Sequence, residues 1–353
     1  MRTFLKLSLL CLAFECAAQQ PDHLRSKGLS LPYSNPVFEP VLADPSIIRD
    51  SKTGLFYAFW TADDWGDGAG QRLVPMLQSA DLTHWHYVKD ALKQKPQWKG
   101  KGGIWAPDVN RVNGKYYMYY AFSTWGDPDP GIGLAIADSL NGDFIDQGKV
   151  FSSVEVDVPN SIDPCFFEDN GKKYLFWGSF SDLPTQGTYA IELSEDGRTV
   201  VDIDKKTKIA AGDWEAVMIH KRGEYYYFFG SKGSCCEGLN SKYHVLVGRS
   251  TQLLGPYLDK EGQPITERGR GTLLIQGNEQ FVGTGHNAPI ITDDKGQDWF
   301  LYHGFDARKG KLTNGTNRRV LLMDRLYWKD GWPEIKGQGA SASSQEAPVF
   351  NAK

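Results

Sequence analysis

"NGKYYMYYAFS", residues 113–123, decides the fold: a turn containing glycine leads into a run of tyrosine and phenylalanine, the composition of a β-strand. The phrase is not alone. "TGLFYAFW" (53–60), "NGKKYLFWGSF" (170–180), "RGEYYYFFGSK" (222–232) and "KGQDWFLYHGF" (295–305) repeat it, so five such segments start roughly 50 to 75 residues apart. Each is followed by a second apolar strand that runs into a polar turn: "LVPMLQSADLTHW", "GIGLAIADSLNGDF", "GTYAIELSEDGRTV", "YHVLVGRSTQLLGPY" and "RRVLLMDRLYW". Two or more further strands fit within each period. Repeats of this length, each all-β and each unable to bury its sheet alone, predict a five-bladed β-propeller. A β-sandwich with the same number of strands has no need of one turn-plus-aromatic phrase five times. No helical pattern of useful length competes.

The flanks read differently. Arg2 and Lys6, the apolar run Leu7 to Phe14 and the small pair Ala17 and Ala18 form a secretory signal pattern over residues 1–18, and the mature chain is expected to begin near Gln19. Cys16 offers a lipid anchor as the alternative, with Phe14 and Glu15 before it against that reading. Residues 19–34 read as a lead-in and "GQGASASSQEAPVF" as a closing strap, leaving 35–353 as a single propeller domain. The protein is therefore expected outside the cytoplasm, secreted or periplasmic, and as a monomer. No later segment has the apolar length of a membrane span.

At 353 residues, 23% charged and 41% hydrophobic, the chain has ample core. Its formal charge of −4 provides no basic stripe for phosphates and speaks against nucleic acid as a partner. Without the signal segment three cysteines remain, Cys165 and the adjacent Cys235 and Cys236, too few for a disulfide scaffold. The adjacent pair is open to two readings, a vicinal disulfide or two packed thiols.

Just upstream of the five aromatic strands stand "ADPSII" with Asp44, "WAPDV" with Asp108, "IDPCFF" with Asp163, "WEAVMI" with Glu215 and "GHNAPII" with His286. In a propeller the innermost strand of every blade begins at the central channel, so these positions are expected to converge in a ring at one mouth. Two carboxylates across a pocket suit glycoside hydrolysis, one protonated to serve the leaving oxygen and one ionised as base or nucleophile. A third acid near the proton donor raises the donor's pKa by like-charge repulsion. With 11 tryptophans the chain also has flat faces for sugar rings, although most aromatics must pack blades.

Together "ADPSII", "IWAPDV", "SIDPCFFEDNGKKYLFWGS", "EAVMIHKRGEYYYFFGS", "GSCCEGLNSKYHVLVGRS" and "GHNAPIITDDKGQDWFLYHGF" resemble glycoside hydrolase family 43, most of all its arabinan endo-1,5-α-L-arabinanases, over about Asn35 to Pro333. The resemblance implies an inverting five-bladed propeller acting on plant cell-wall arabinan or arabino-oligosaccharides. It makes Asp44 the general base, Asp163 the acid that tunes the donor and helps hold substrate, and Glu215 the general acid. Asp108 matches no catalytic role and reads as a hydrogen-bonding partner for backbone at its blade entry. His286 corresponds to a histidine that reaches a calcium ion in the channel largely surrounded by water, and calcium, held through His286 and waters, is accordingly the expected cofactor. Trp105 is expected to stack on a sugar near the cleavage point, and Asn160 and Ser179 to meet sugar hydroxyls. Arg319 is expected to reach the pocket or to pair with a surface acid.

Two departures bear on this: Cys165 follows "DP" where a polar residue would be unsurprising, and Ala288 and Pro289 alter the surroundings of His286. The loops "TADDWGDGAG" and "STWGDPDP" lack the spacing of an EF-hand and read as solvated cleft walls. Three rivals stand beside the endo-arabinanase: an exo-acting α-L-arabinofuranosidase or β-xylosidase of the same family, a non-catalytic glycan-binding propeller, and a fructan enzyme, whose "NDPN" opening is missing here.

Overall fold

A computed structural model describes residues 31–180, 182–183 and 185–351. The expected signal segment, Cys16 and residues 19–30 of the lead-in lie outside them. Blade one comprises β1 (Ser46–Arg49), β2 (Phe56–Phe59), β3 (Pro75–Ser79) and β4 (His86–Asp90). Blade two comprises β5 (Gly103–Val112), β6 (Lys115–Ser123), β7 (Gly131–Ala137) and β8 (Ile145–Ser152), and blade three β9 (Cys165–Asp169), β10 (Lys172–Trp177), β11 (Thr188–Leu193) and β12 (Thr207–Ala210). Blade four holds β13 (Glu215–Arg222), β14 (Tyr225–Lys232), β15 (His244–Ser250) and β16 (Thr272–Ile275). Blade five holds β17 (Phe281–Asn287), β18 (Ile291–Thr292), β19 (Asp298–Asp306), β20 (Arg319–Lys329) and β21 (Trp332–Glu334), with β18 pairing β19. Every sheet is an antiparallel meander with its first strand at one edge, and the five form a five-bladed β-propeller.

The aromatic phrases are the second strands, β2, β6, β10, β14 and β19. Their hairpins need the residues found there: Asn113 and Gly114 both take positive φ (49° and 83°), as do Asn170 and Gly171 (50° and 76°). Only a mirror-image turn matches the twist of the flanking strands at this loop length, and asparagine and glycine adopt it most cheaply. Between blades the aromatics interdigitate in five separate clusters, one at each blade interface. Met118 and Tyr120 meet Phe59 between blades one and two, and Trp60, Trp299 and Met323 close the interface of blades five and one.

That last interface carries the closure. Tyr33 and Gln345 exchange both backbone hydrogen bonds, Val37 N–H donates to the Leu321 carbonyl at 2.9 Å, and Leu42 N–H to that of Arg319 at 2.7 Å. Phe350 lies 4.6 Å from Phe56 on blade one. Residues 33–42 and 345–350 therefore tie blade five to blade one.

Candidate active site

At the channel end of each blade the backbone makes the same turn, before β1 and β9, inside β5 and β13, and near the end of β17. Asp44, Ala106, Asp163, Ala216 and His286 have φ of 57°, 42°, 56°, 55° and 46°, a left-handed non-glycine residue at this place in every blade. Such residues cost of order 1–3 kcal/mol each and persist where the surroundings over-determine them. Here the preceding blade does so at four of the five. Asp44 N–H donates to His303 Nδ1 (3.0 Å), Ala106 N–H to Thr61 Oγ1 (2.9 Å), Ala216 N–H to Asp163 Oδ2 (3.1 Å) and His286 N–H to Ser231 Oγ (2.9 Å). The kink turns residues at the strand mouth toward the channel, and blade-to-blade bonds fix it.

The structure brings Asp44, Asp163, Glu215, His286 and Arg319 together. Asp44 Oδ1 lies 3.2 Å from His286 Nδ1 and 3.3 Å from Arg319 Nη1, while Oδ2 accepts a 2.5 Å hydrogen bond from the Thr61 hydroxyl. Burial alone would raise the Asp44 pKa, but Arg319 and then His286 outweigh it and hold the carboxyl well below its usual range. Arg319 pairs with this channel acid and not with one on the surface.

Glu215 has the opposite surroundings. Burial first and the Asp163 carboxylate second push it up to about 7, against hydrogen bonds from the Ser179 hydroxyl (2.6 Å to Oε2) and Tyr243. Asp163 is raised to about 6 by burial, with His286 pulling it down and Asp44 up. Two carboxyls in one ring are thus driven apart in protonation. Asp108 is also buried and raised to about 6, but its Oδ2 accepts from the Phe166 N–H on blade three (2.6 Å) and from Asn110 (2.8 Å), the backbone role expected of it.

Two expected sugar contacts are otherwise engaged. Ser179, only 2% exposed, points its hydroxyl at Glu215, and Asn160 Nδ2 donates to the Phe180 carbonyl at 3.2 Å, bracing the segment that carries Ser179. Both serve the general region of Glu215 from below. Trp105 is half-buried and packs 5.6 Å from Trp125, which is 79% exposed. Trp125 stands in the loop "STWGDPDP" and escaped notice because an aromatic in a polar loop carries no periodicity.

Other neighbours were missed as well. His303 is fully buried, and burial keeps its ring neutral. Its Nδ1 accepts the Asp44 N–H, so the proton resides on Nε2, which is buried and without a partner among the described residues. Asp63, in a loop read as solvated, is half-buried, and burial raises it to about 6 against the pull of Arg319.

The calcium expected at His286 is one held through a shell of water, and the imidazole Nδ1 faces Asp44 Oδ1 at 3.2 Å. Burial lowers the imidazole pKa, but Asp44, which its Nδ1 faces, leaves it raised on balance. Among the described residues no three His, Cys, Asp or Glu side chains are grouped to hold a metal.

A propeller with an ionised and a protonated carboxyl at one channel mouth is a scaffold for paired acid–base chemistry. The chain belongs to glycosyl hydrolases family 43, whose profile matches residues 33–333. It is 31% identical to the extracellular exo-α-(1→5)-L-arabinofuranosidase of Cellvibrio japonicus, over 93% of this chain and 90% of that protein. It is 32% identical to the extracellular endo-α-(1→5)-L-arabinanase 1 of Bacillus subtilis, over 83% and 87%. The solved α-L-arabinanase of Cellvibrio cellulosa, complexed with arabinohexaose, superposes with a TM-score of 0.71 at 29% identity, covering 84% of this chain and 95% of its own.

Proposed function

We propose that this chain is an inverting glycoside hydrolase that cleaves α-1,5-linked L-arabinan, acting within the chain. The observation that carries the reading is the split between Asp44, held ionised, and Glu215, held protonated near neutral pH. Asp44 takes a proton from the water that attacks the anomeric carbon, while Glu215 protonates the departing oxygen through an oxocarbenium-like transition state. Asp163 keeps Glu215 protonated until the bond breaks and then favours its reprotonation. Thr61, Arg319 and His286 hold Asp44 in its basic form. Trp105, with Trp125 beside it, offers the apolar face for a sugar ring. The extracellular relatives support a secreted or periplasmic enzyme, which works as a monomer on plant cell-wall arabinan or its oligosaccharides.

The second reading is exo action on the same acids, favoured by the C. japonicus relative, which aligns over more of this chain than the B. subtilis endo enzyme does. Debranched linear arabinan separates the two. A ladder of mid-length oligosaccharides early in the time course is expected; arabinose or one short oligomer from the start would establish exo action. Hydrolysis by wild type but not by Glu215→Gln rules out a mere glycan-binding propeller.

A further inference from the structure

The second-to-third strand hairpin of blade four carries a feature that the acid–base scheme leaves unused. Cys235 and Cys236, adjacent in sequence, are joined by a disulfide, and both are half-buried. Arg319 Nη1 points at two atoms, Asp44 Oδ1 at 3.3 Å and Cys236 Sγ at 3.8 Å. The same loop is tied to the segment leading into β20: Asn317 Nδ2 donates to the Cys236 carbonyl at 2.8 Å, and Arg319 N–H donates to the Asn317 carbonyl at 3.0 Å. Within the loop Lys242 N–H returns to the Ser234 carbonyl at 3.1 Å and Glu237 N–H to the Ser241 hydroxyl at 2.9 Å. Gly233 at its start has φ of +82°, and a Cβ there would lie 2.4 Å from the Lys242 carbonyl oxygen. The loop ends at Tyr243, whose ring stacks on His303 at 5.7 Å and whose hydroxyl bonds Glu215. One short loop thus touches the supports of both carboxyls.

We propose that the Cys235–Cys236 disulfide is a positioning element for hydrolysis, fixing an uncharged sulfur against Arg319 so that its guanidinium stays on Asp44. This rests on Asp44 being the base. The chemistry favours a disulfide over thiols at this spot. A disulfide sulfur cannot ionise, and it offers the guanidinium a weak acceptor. A free Cys236 thiol beside that cation would be shifted toward thiolate. The thiolate would then compete with Asp44 for the one guanidinium between them. Reduction by a dithiol delivers two electrons and two protons to the S–S bond, yields two thiols, and oxidises the reagent to its cyclic disulfide. The one free cysteine among the described residues, Cys165, is buried on blade three, so the effect of reduction is read at this pair.

The test is a double-mutant cycle on arabinan hydrolysis, with Cys235→Ser/Cys236→Ser placed in the wild type and in Arg319→Lys. Loss of the disulfide is expected to lower kcat/KM about tenfold in the wild type and less than about twofold in the Arg319→Lys background. Equal losses in both backgrounds, or none in the wild type, overturn the proposal. Should Arg319→Lys be too slow to assay, reduction of the wild type with dithiothreitol carries the test. A loss reversed on reoxidation, with the melting curve unchanged, is expected, and an unchanged rate overturns it. A wild type that hydrolyses no arabinan overturns this proposal together with the assignment of Asp44, whereas an active wild type indifferent to the disulfide overturns this one alone.

Discussion

Asp44 and Glu215 enter the channel at the left-handed turns of blades one and four, Asp44 as the left-handed residue itself and Glu215 one residue before Ala216, yet they hold their protons oppositely. Burial penalises both carboxylates. Around Asp44 it is overcome by the Arg319 guanidinium and the His286 imidazole, both within about 3.3 Å. Around Glu215 the nearest charge is another acid, Asp163, and the compensating groups are two neutral hydroxyls, Ser179 and Tyr243. Position in the propeller decides which side chains reach the channel; the second strands and loops of neighbouring blades decide which of them is an acid and which a base.

The largest break in this comparison comes from removing its two poles. Asp44→Asn and Glu215→Gln are each expected to lower kcat on arabinan about a thousandfold, within the range of general acid–base catalysis, with KM little changed. A loss under tenfold in either would show that the carboxyl is not a proton-transfer group.

The next effect is on stability. Glu215 has a folded pKa of about 7, above its ordinary 4.5, so the native state binds the proton more tightly than the unfolded chain does. Its contribution is fully present below about pH 4.5 and is lost as pH rises through about 7. Glu215→Gln removes that slope, and the variant should gain roughly 3 kcal/mol over wild type at pH 8 and little at pH 4. Denaturant unfolding at both pH values measures it; an equal change at the two would mean that the proton is not the cause.

Asp163→Asn sharpens the comparison from between the poles. With the like charge gone, the Glu215 pKa falls from about 7, so the alkaline limb of kcat/KM should move to lower pH. At pH 7 the rate should drop about tenfold, with more of it recovered at pH 5 than in wild type. An alkaline limb that stays in place would assign the raised pKa to burial alone.

The five blades were legible because each repeats one turn-plus-aromatic phrase, and the interface clusters between blades explain why the phrase is aromatic. Asp44, Asp163, Glu215 and His286 were legible as a ring because inner strands all begin at the channel. Their partners were harder. His303 lies inside "DWFLYHGF" and Thr61 just after "FYAFW", where both read as blade packing. His303 reaches Asp44 through closure of the ring between blades five and one, whereas Thr61 reaches it within blade one and takes the lateral step to blade two through the Ala106 N–H. Ser179 and Arg319 were noticed, but residue type alone does not reveal whether a hydroxyl or a guanidinium faces a sugar or a carboxylate.

Thr61 provides the finest test of that lateral step. Its Oγ1 donates to Asp44 Oδ2 at 2.5 Å and accepts the Ala106 N–H at 2.9 Å, so one hydroxyl fixes the base on blade one and the left-handed turn that follows Trp105 on blade two. Thr61→Val keeps the β-branched shape and loses both bonds, leaving the Ala106 N–H unpaired. Because Arg319 and His286 still hold Asp44 ionised, kcat should fall only about threefold, and KM should rise by a similar factor as Trp105 loses its anchor. Thr61→Ser keeps the hydroxyl and should restore both parameters. A Val variant that changes kcat alone would confine Thr61 to Asp44 and leave Trp105 independent of it, with blades one and two uncoupled at the channel.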